Sequence, residues 1–128
     1  MRLLLDTCAF LWLSREPSQL SQVASEAIRD VENNVYLSGA SIWEIVLKYF
    51  AGKLALPVPP RQWVAEHAPF FHIEPLPIQT EAIFVSGEFP PVHRDPFDRL
   101  IAAHAEINGM TVVSPDPAFA KLGVDVIW

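Results

Sequence analysis

The stretch HRDPFDRLIAAHAEINGMTVVS, residues 93–114, carries three structural signals in succession. Asp95 followed by Pro96 reads as a helix start, because a carboxylate accepts hydrogen bonds from the unpaired amides of a first turn and proline has no amide to lose there. DRLIAAHAEIN then spaces its apolar residues as a helix does, and Gly109 supplies the stop. The run Thr111 to Val113 follows at once, short and β-rich, the pattern of a buried strand. A helix feeding directly into such a strand is half of a βαβ unit, and the question is whether the chain repeats it.

It does. RLLL before Asp6, VYL before Ser38 and VDVIW at the carboxyl terminus read as further buried strands. Ser21 opens a helix through QVASEAIRDVEN, and either Ser38 or Ser41 opens another through IWEIVLKYFA that Gly52 stops. The proline-broken middle, residues 54–91, predicts two short helices around an edge strand near Phe71 to Ile73, since its prolines exclude a central strand. The alternation predicts one α/β domain over residues 1–128, with a short parallel sheet of about five strands and helices on both faces. Ligands of such sheets bind beyond the carboxyl ends of the strands, at the point where the strand order reverses.

Composition narrows the function classes. With 51% hydrophobic residues in 128, the chain can bury a real core. Its apolar amino-terminal run is interrupted by Asp6 and is too short for a membrane span or a clean signal sequence, so the expectation is a cytoplasmic protein with no membrane association. The single cysteine, Cys8, excludes an internal disulfide and a multi-cysteine metal site, and reads as a small apolar residue. AGKL at 51–54 lacks the upstream glycine and the preceding strand of a phosphate loop. No serine sits in a nucleophile elbow, and His67, His72, His93 and His104 lack the spacing of a helical metal motif. The tryptophans 12, 43, 63 and 128 stand at apolar positions and read as core or interface. The formal charge of −6 argues against a polyanionic partner unless the acids gather around divalent cations that reverse the local field.

Four acids fall where such a gathering would form. Asp6 ends the first strand, Glu44 lies early in the helix after the second, Asp116 follows TVV closely, and Asp98 heads the helix leading into that strand. Each also has a purely structural reading. Asp6 suits a strand-end cap, Glu44 a capping box with Ser41 or an ion pair with Lys48, and Asp116 a cap before Pro117. Asp95 and Asp98 are both explained by the start of their own helix, and His93 beside them by capping or solvation. Four carboxylates converging on one crevice, however, would repel one another unless cations neutralised them, and hard oxygen donors suit Mg²⁺ or Mn²⁺. Such ions favour hydrolysis of a phosphodiester backbone.

LLLDTCAFLWL, SIWEIVLKYFAGKLALP, HRDPFDRLIAAHA and VVSPDPAF, in that order, resemble the PIN-domain family, and within it the VapC-type toxins of type II toxin–antitoxin pairs. The resemblance implies a Mg²⁺- or Mn²⁺-dependent endoribonuclease with catalytic and metal-site acids at Asp6, Glu44, Asp98 and Asp116. It selects Asp98, the head of the D-x-L-I-A-A helix, over Asp95, which belongs to the H-x-D-P-F-D-R form of one subgroup and stays secondary, as does His93. Where the family commonly carries threonine two residues before the last acid, this chain has Ser114, which keeps the hydroxyl. Also implied are an RNA substrate, a homodimer and an antitoxin whose basic tail blocks the acidic crevice. The rival from another class is a non-catalytic PIN-fold module that binds a protein with its acidic face. A receiver-like phosphoryl-transfer domain would need a second acid beside Asp6 or a lysine after the last crevice strand, and DTC and SPD supply neither.

Overall fold

A computed structural model describes residues 1–128. Five strands, β1 (Arg2–Leu5), β2 (Asn34–Ser38), β3 (Ile73–Leu76), β4 (Thr111–Val113) and β5 (Val126–Ile127), form one sheet in the order β3-β2-β1-β4-β5. Every pairing is parallel, and Leu5 stands level with Leu37 of β2 and Val113 of β4. The strand order therefore reverses on either side of β1, which puts the switch point at the carboxyl ends of β1 and β4.

The sheet is buried on both faces, which is why its central strands are unbroken apolar runs. Leu3 and Leu5 of β1 pack into one layer with α1 (Thr7–Arg15), α2 (Gln22–Arg29) and α4 (Pro60–Phe70), through Phe10, Leu13, Ile28 and Trp63. Leu4 points the other way, into a layer with Ile101 and Ala105 of α6 (Pro96–Asn108) and Phe119 of α7 (Ala118–Lys121). The remaining helices are α3 (Gly39–Phe50), which lends Ile45 to the first layer and Ala40 to the second, and α5 (Thr80–Glu88), which packs on α6. Burying one leucine of β1 is worth about 1.5–3 kcal/mol. No helix is long and apolar enough to cross a membrane.

The helix ends follow their sequence signals closely. Ser21 Oγ accepts from Ala24 N at 3.0 Å and Ser38 Oγ from Ala40 N at 3.0 Å, so Ser38 opens α3. Ser41 lies inside that helix, fully buried, its hydroxyl without a partner, and the capping box with Glu44 does not form. Gly109 ends α6 with φ 64°, a conformation that costs a residue with a Cβ. Gly39 is fixed by contact instead: a Cβ there would meet the Ile78 side chain at 3.1 Å and the Leu76 carbonyl oxygen at 3.3 Å.

Three differences from the sequence expectation have physical causes. Helix α1 was not among the expected elements, because FLWL is apolar on successive positions and hides the helical period; Phe10 and Leu13 are buried while Leu11 and Trp12 pack partly on the same layer. The edge strand begins at Ile73 and carries Pro75, which an edge position tolerates. Helix α4, the first of the two helices expected to be short, runs eleven residues, with Pro60 in its first turn.

Candidate metal centre

Beyond the carboxyl ends of β1 and β4 lies a cleft of about 370 Å³, lined by Asp6, Glu44, Asp98 and Asp116 and also by Asp95, Cys8, Lys48 and Lys53. All four acids singled out by position thus reach one hollow, from four separate segments of the chain. Asp98 arrives there because the first turn of α6 lies over the end of the sheet, although α6 leads into β4 from its other end.

Asp6 is placed by two constraints at once. As the N-cap of α1 its Oδ1 accepts from Ala9 N at 2.7 Å, while Oδ2 accepts from Ser114 Oγ at 2.6 Å across the sheet. The cap reading therefore holds, and the same residue also lines the cleft. It is 5% exposed, and burial pushes its carboxyl up to about 6, against the Ser114 and Ala9 hydrogen bonds and with the help of the Asp98 and Asp116 charges. Ser114 itself is buried; its hydroxyl also accepts from Asp116 N at 3.0 Å and so fixes two acids. Asp116 Oδ1 accepts from Ala118 N at 2.9 Å, bracing the turn into α7.

Glu44 is buried on α3 with both oxygens committed. Oε1 accepts from Thr7 Oγ1 at 2.6 Å and Oε2 from Lys48 Nζ at 2.6 Å. The expected ion pair with Lys48 therefore exists, and the Glu44 hydrogen bond, against some desolvation, raises the lysine above its ordinary value. Thr7 was not anticipated, and only its place beside Asp6 signalled it. Cys8, expected as a buried apolar residue, is instead exposed on the wall of the same cleft; partial desolvation by its surroundings and the Asp6 and Glu44 charges still push its thiol up to about 11, which keeps it protonated and poorly nucleophilic.

The two aspartates at the head of α6 divide their tasks. Asp95 is the N-cap, its Oδ1 accepting from Phe97 N at 2.8 Å and from Asp98 N at 3.2 Å. Asp98 turns its carboxyl into the cleft, where Oδ2 meets His93 Nε2 at 2.8 Å. Burial pushes this carboxyl also up to about 6; the His93 hydrogen bond opposes the shift and the Asp95 and Glu44 charges add to it. His93 is set in place by Arg99, whose guanidinium donates to the carbonyls of His93, Pro90 and Ser86 at 2.9 Å and of Phe89 at 2.7 Å. That role of Arg99 has no sequence signal, because its partners are backbone atoms of the preceding loop.

One juxtaposition departs from the expectation of a purely acidic set. The tightest group consists of His93, Asp98 and Asp116, with ligand atoms all within 4.8 Å of one another. Asp6 and Glu44 line the cleft outside that group. The donor chemistry fits a divalent cation: mostly hard carboxylate oxygens, two of them on buried carboxyls. The only lysine or arginine ion-paired here is Lys48, which serves Glu44, and Asp6, Asp98 and Asp116 have none.

Residues 3–125 match the profile of the PIN domain family. The chain is similar to ribonuclease VapC22 of Mycobacterium tuberculosis, with 32% identity over 116 residues, 88% of this chain and 85% of that protein. Its fold resembles that of VapBC2 from Rickettsia felis, crystallised on a DNA fragment from its promoter, with a TM-score of 0.72, 17% identity and 99% and 98% of the two chains covered. FitAcB from Neisseria gonorrhoeae gives a TM-score of 0.71 at 21% identity over 98% and 96% of the chains.

Proposed function

The chain belongs to the PIN domain family, and on that premise we propose that it is a Mg²⁺- or Mn²⁺-dependent endoribonuclease, the toxin of a toxin–antitoxin pair, built as one nuclease domain over residues 1–128. The observation that carries this reading is the meeting of Asp6, Glu44, Asp98 and Asp116 on one cleft at the switch point, with buried Asp6 and half-buried Asp98 paired to no lysine or arginine. These four acids would hold the ion. A bound divalent cation supplies Lewis-acid stabilisation of phosphodiester oxygens and makes water a nucleophile near neutral pH.

The chain's own residues supply the alignment. Ser114 locks Asp6 against the end of β4, and Thr7 with Lys48 locks Glu44, so the donors are set before substrate arrives. Lys53, on the cleft wall, is placed to offset phosphate charge in an otherwise acidic hollow. A cleft of about 370 Å³ suits unpaired RNA, whose backbone can bend into it and whose bases are open to contact.

Protein partners fit the remaining surface. Exposed Trp43, Leu47 and Phe50 on α3, with Ile83 and Phe84 on α5, offer apolar area for a second copy of the chain and for the antitoxin. An antitoxin tail rich in lysine and arginine would enter the acidic cleft, as the overall charge of −6 favours, and the complex would act in the cytoplasm.

The test is incubation of single-stranded RNA with the protein in Mg²⁺, in Mn²⁺ and in chelator. Internal cleavage is expected with either ion, none in chelator, and none with Asp6→Asn. Undiminished cleavage in chelator, or a strong preference for perfect duplex, would overturn the proposal.

A further inference from the structure

The proposed function assigns the cation to carboxylates, yet the group of donor atoms that lie within 4.8 Å of one another joins Asp98 and Asp116 of the cleft wall to an imidazole beside it, that of His93. We propose that His93 is itself a ligand of the cation held by Asp98 and Asp116, and that its nitrogen makes the centre favour Mn²⁺ over Mg²⁺. The inference rests on the metal-dependent reading above and refines which residues and which ion it involves.

Geometry carries it. His93, Asp98 and Asp116 come from the loop before α6, from α6 and from the turn after β4, and their ligand atoms lie within 4.8 Å of one another. An octahedral ion with bonds of about 2.1 Å spaces its ligands about 3 Å apart when adjacent and about 4.2 Å when opposite, so small side-chain adjustments close such a group on one ion. An imidazole that served only to steady Asp98 would need the 2.8 Å contact with its Oδ2 and nothing more. Proximity to Asp116 as well is what that lesser role leaves unexplained. The His93 and Asp98 side chains are 23% and 18% exposed, enclosed enough to be held and open enough for an ion to reach.

The loop is also built to deliver the ring. Four carbonyls between Ser86 and His93, including that of His93 itself, converge on the Arg99 guanidinium one residue after Asp98. Loop and ligand helix are thereby tied into one unit, which is the support a preorganised centre requires. Mg²⁺ takes oxygen donors almost exclusively and sheds water reluctantly, whereas ions of the first transition series accept imidazole nitrogen.

Calorimetric titration of the wild-type chain and of His93→Gln with Mn²⁺ and with Mg²⁺, together with pulsed electron paramagnetic resonance of the Mn²⁺-loaded wild type, tests this without any activity measurement. Wild type is expected to bind Mn²⁺ about tenfold or more tighter than Mg²⁺, and His93→Gln to lose about tenfold in Mn²⁺ affinity while Mg²⁺ changes by less than about threefold. The resonance spectrum should show coupling of Mn²⁺ to a ¹⁴N nucleus, a result that stands even if the variant folds poorly. Mn²⁺ bound with no nitrogen coupling would overturn the role of His93 and leave the carboxylate centre standing. Failure of the wild type to bind either ion would instead remove the metal-dependent reading beneath it.

Discussion

The two ends of the sheet carry hollows that differ in how their charged groups are arranged. At the amino ends of the strands, a hollow of about 500 Å³ lies between the α2–β2 turn and the end of α4, walled by apolar Ile28, Val35 and Phe70 and by a mixed set of polar groups that includes Arg29, Asp30 and Glu74. At the carboxyl ends the cleft is smaller, about 370 Å³, but collects Asp6, Glu44, Asp95, Asp98 and Asp116. Acids occur at the amino end too. There Asp30 simply closes its own turn, its Oδ1 accepting from Glu32 N at 2.9 Å. The difference teaches that volume does not locate chemistry in this fold. What does is convergence of like charges from distant segments, held there at a cost in stability that a bound cation would relieve.

That contrast breaks or survives first on activity. Asp6→Asn and Asp98→Asn should each reduce RNA cleavage by about 100-fold or more, since each removes a donor from the centre while an asparagine keeps the shape. Phe70→Ser, in the larger hollow, should leave the rate unchanged in the same assay. A cleavage defect in Phe70→Ser equal to that of Asp6→Asn would erase the distinction between the two ends.

A second effect concerns stability and pH without metal. The folded chain holds the Asp6 and Asp98 protons up to about pH 6, whereas an unfolded aspartate releases its proton near its ordinary value of 3.8. These two groups therefore cost nothing below about pH 4, and their penalty grows as pH rises and is complete above about pH 6. In chelator, Asp6→Asn should melt close to wild type at pH 4 and above it at pH 7.5, by about 2 kcal/mol, because asparagine can still cap α1. Melting curves at the two pH values measure it; a gap that does not widen with pH would contradict the burial of a charge at this end.

The smallest effect separates the two aspartates of DPFD. Asp95→Asn should change stability little, since asparagine caps about as well, and Asp95→Ala should cost about 0.5–2 kcal/mol. Denaturant unfolding measures both. Loss of cleavage in Asp95→Asn with cleavage intact in Asp98→Asn would reverse their roles.

Much of this arrangement was legible in the residues. RLLL, VYL and TVV announced the central strands because burial on both faces leaves no polar position, and Ser21, Ser38 and Gly109 marked helix ends through local hydrogen bonding and φ. Helix α1 was hidden by the same apolar density that buries it. In the cleft, Asp6, Glu44 and Asp116 were expected from their position at strand ends and helix starts, which is local information, whereas Asp98 was preferred over Asp95 only through the family resemblance. The grip of Thr7 on Glu44, the bond from Ser114 to Asp6 and the clasp of Arg99 on its loop span up to 108 positions or involve backbone oxygens, and no spacing rule encodes them. For the same reason His93 read as a solvated neighbour. Only the fold brings it against Asp116.

The central claim is that the crowded Asp6, Asp98 and Asp116 carboxylates are to be neutralised by a bound cation, since no lysine or arginine of the chain pairs with them. The most direct measurement is the melting temperature of wild type and of Asp98→Asn at pH 7.5, each in chelator and in saturating Mn²⁺. The account predicts that the order inverts: the variant melts higher in chelator, where repulsion and burial burden the wild type, and the wild type melts higher in Mn²⁺, where all its donors are engaged. The same order in both conditions, with Mn²⁺ shifting wild type and variant alike, would contradict it.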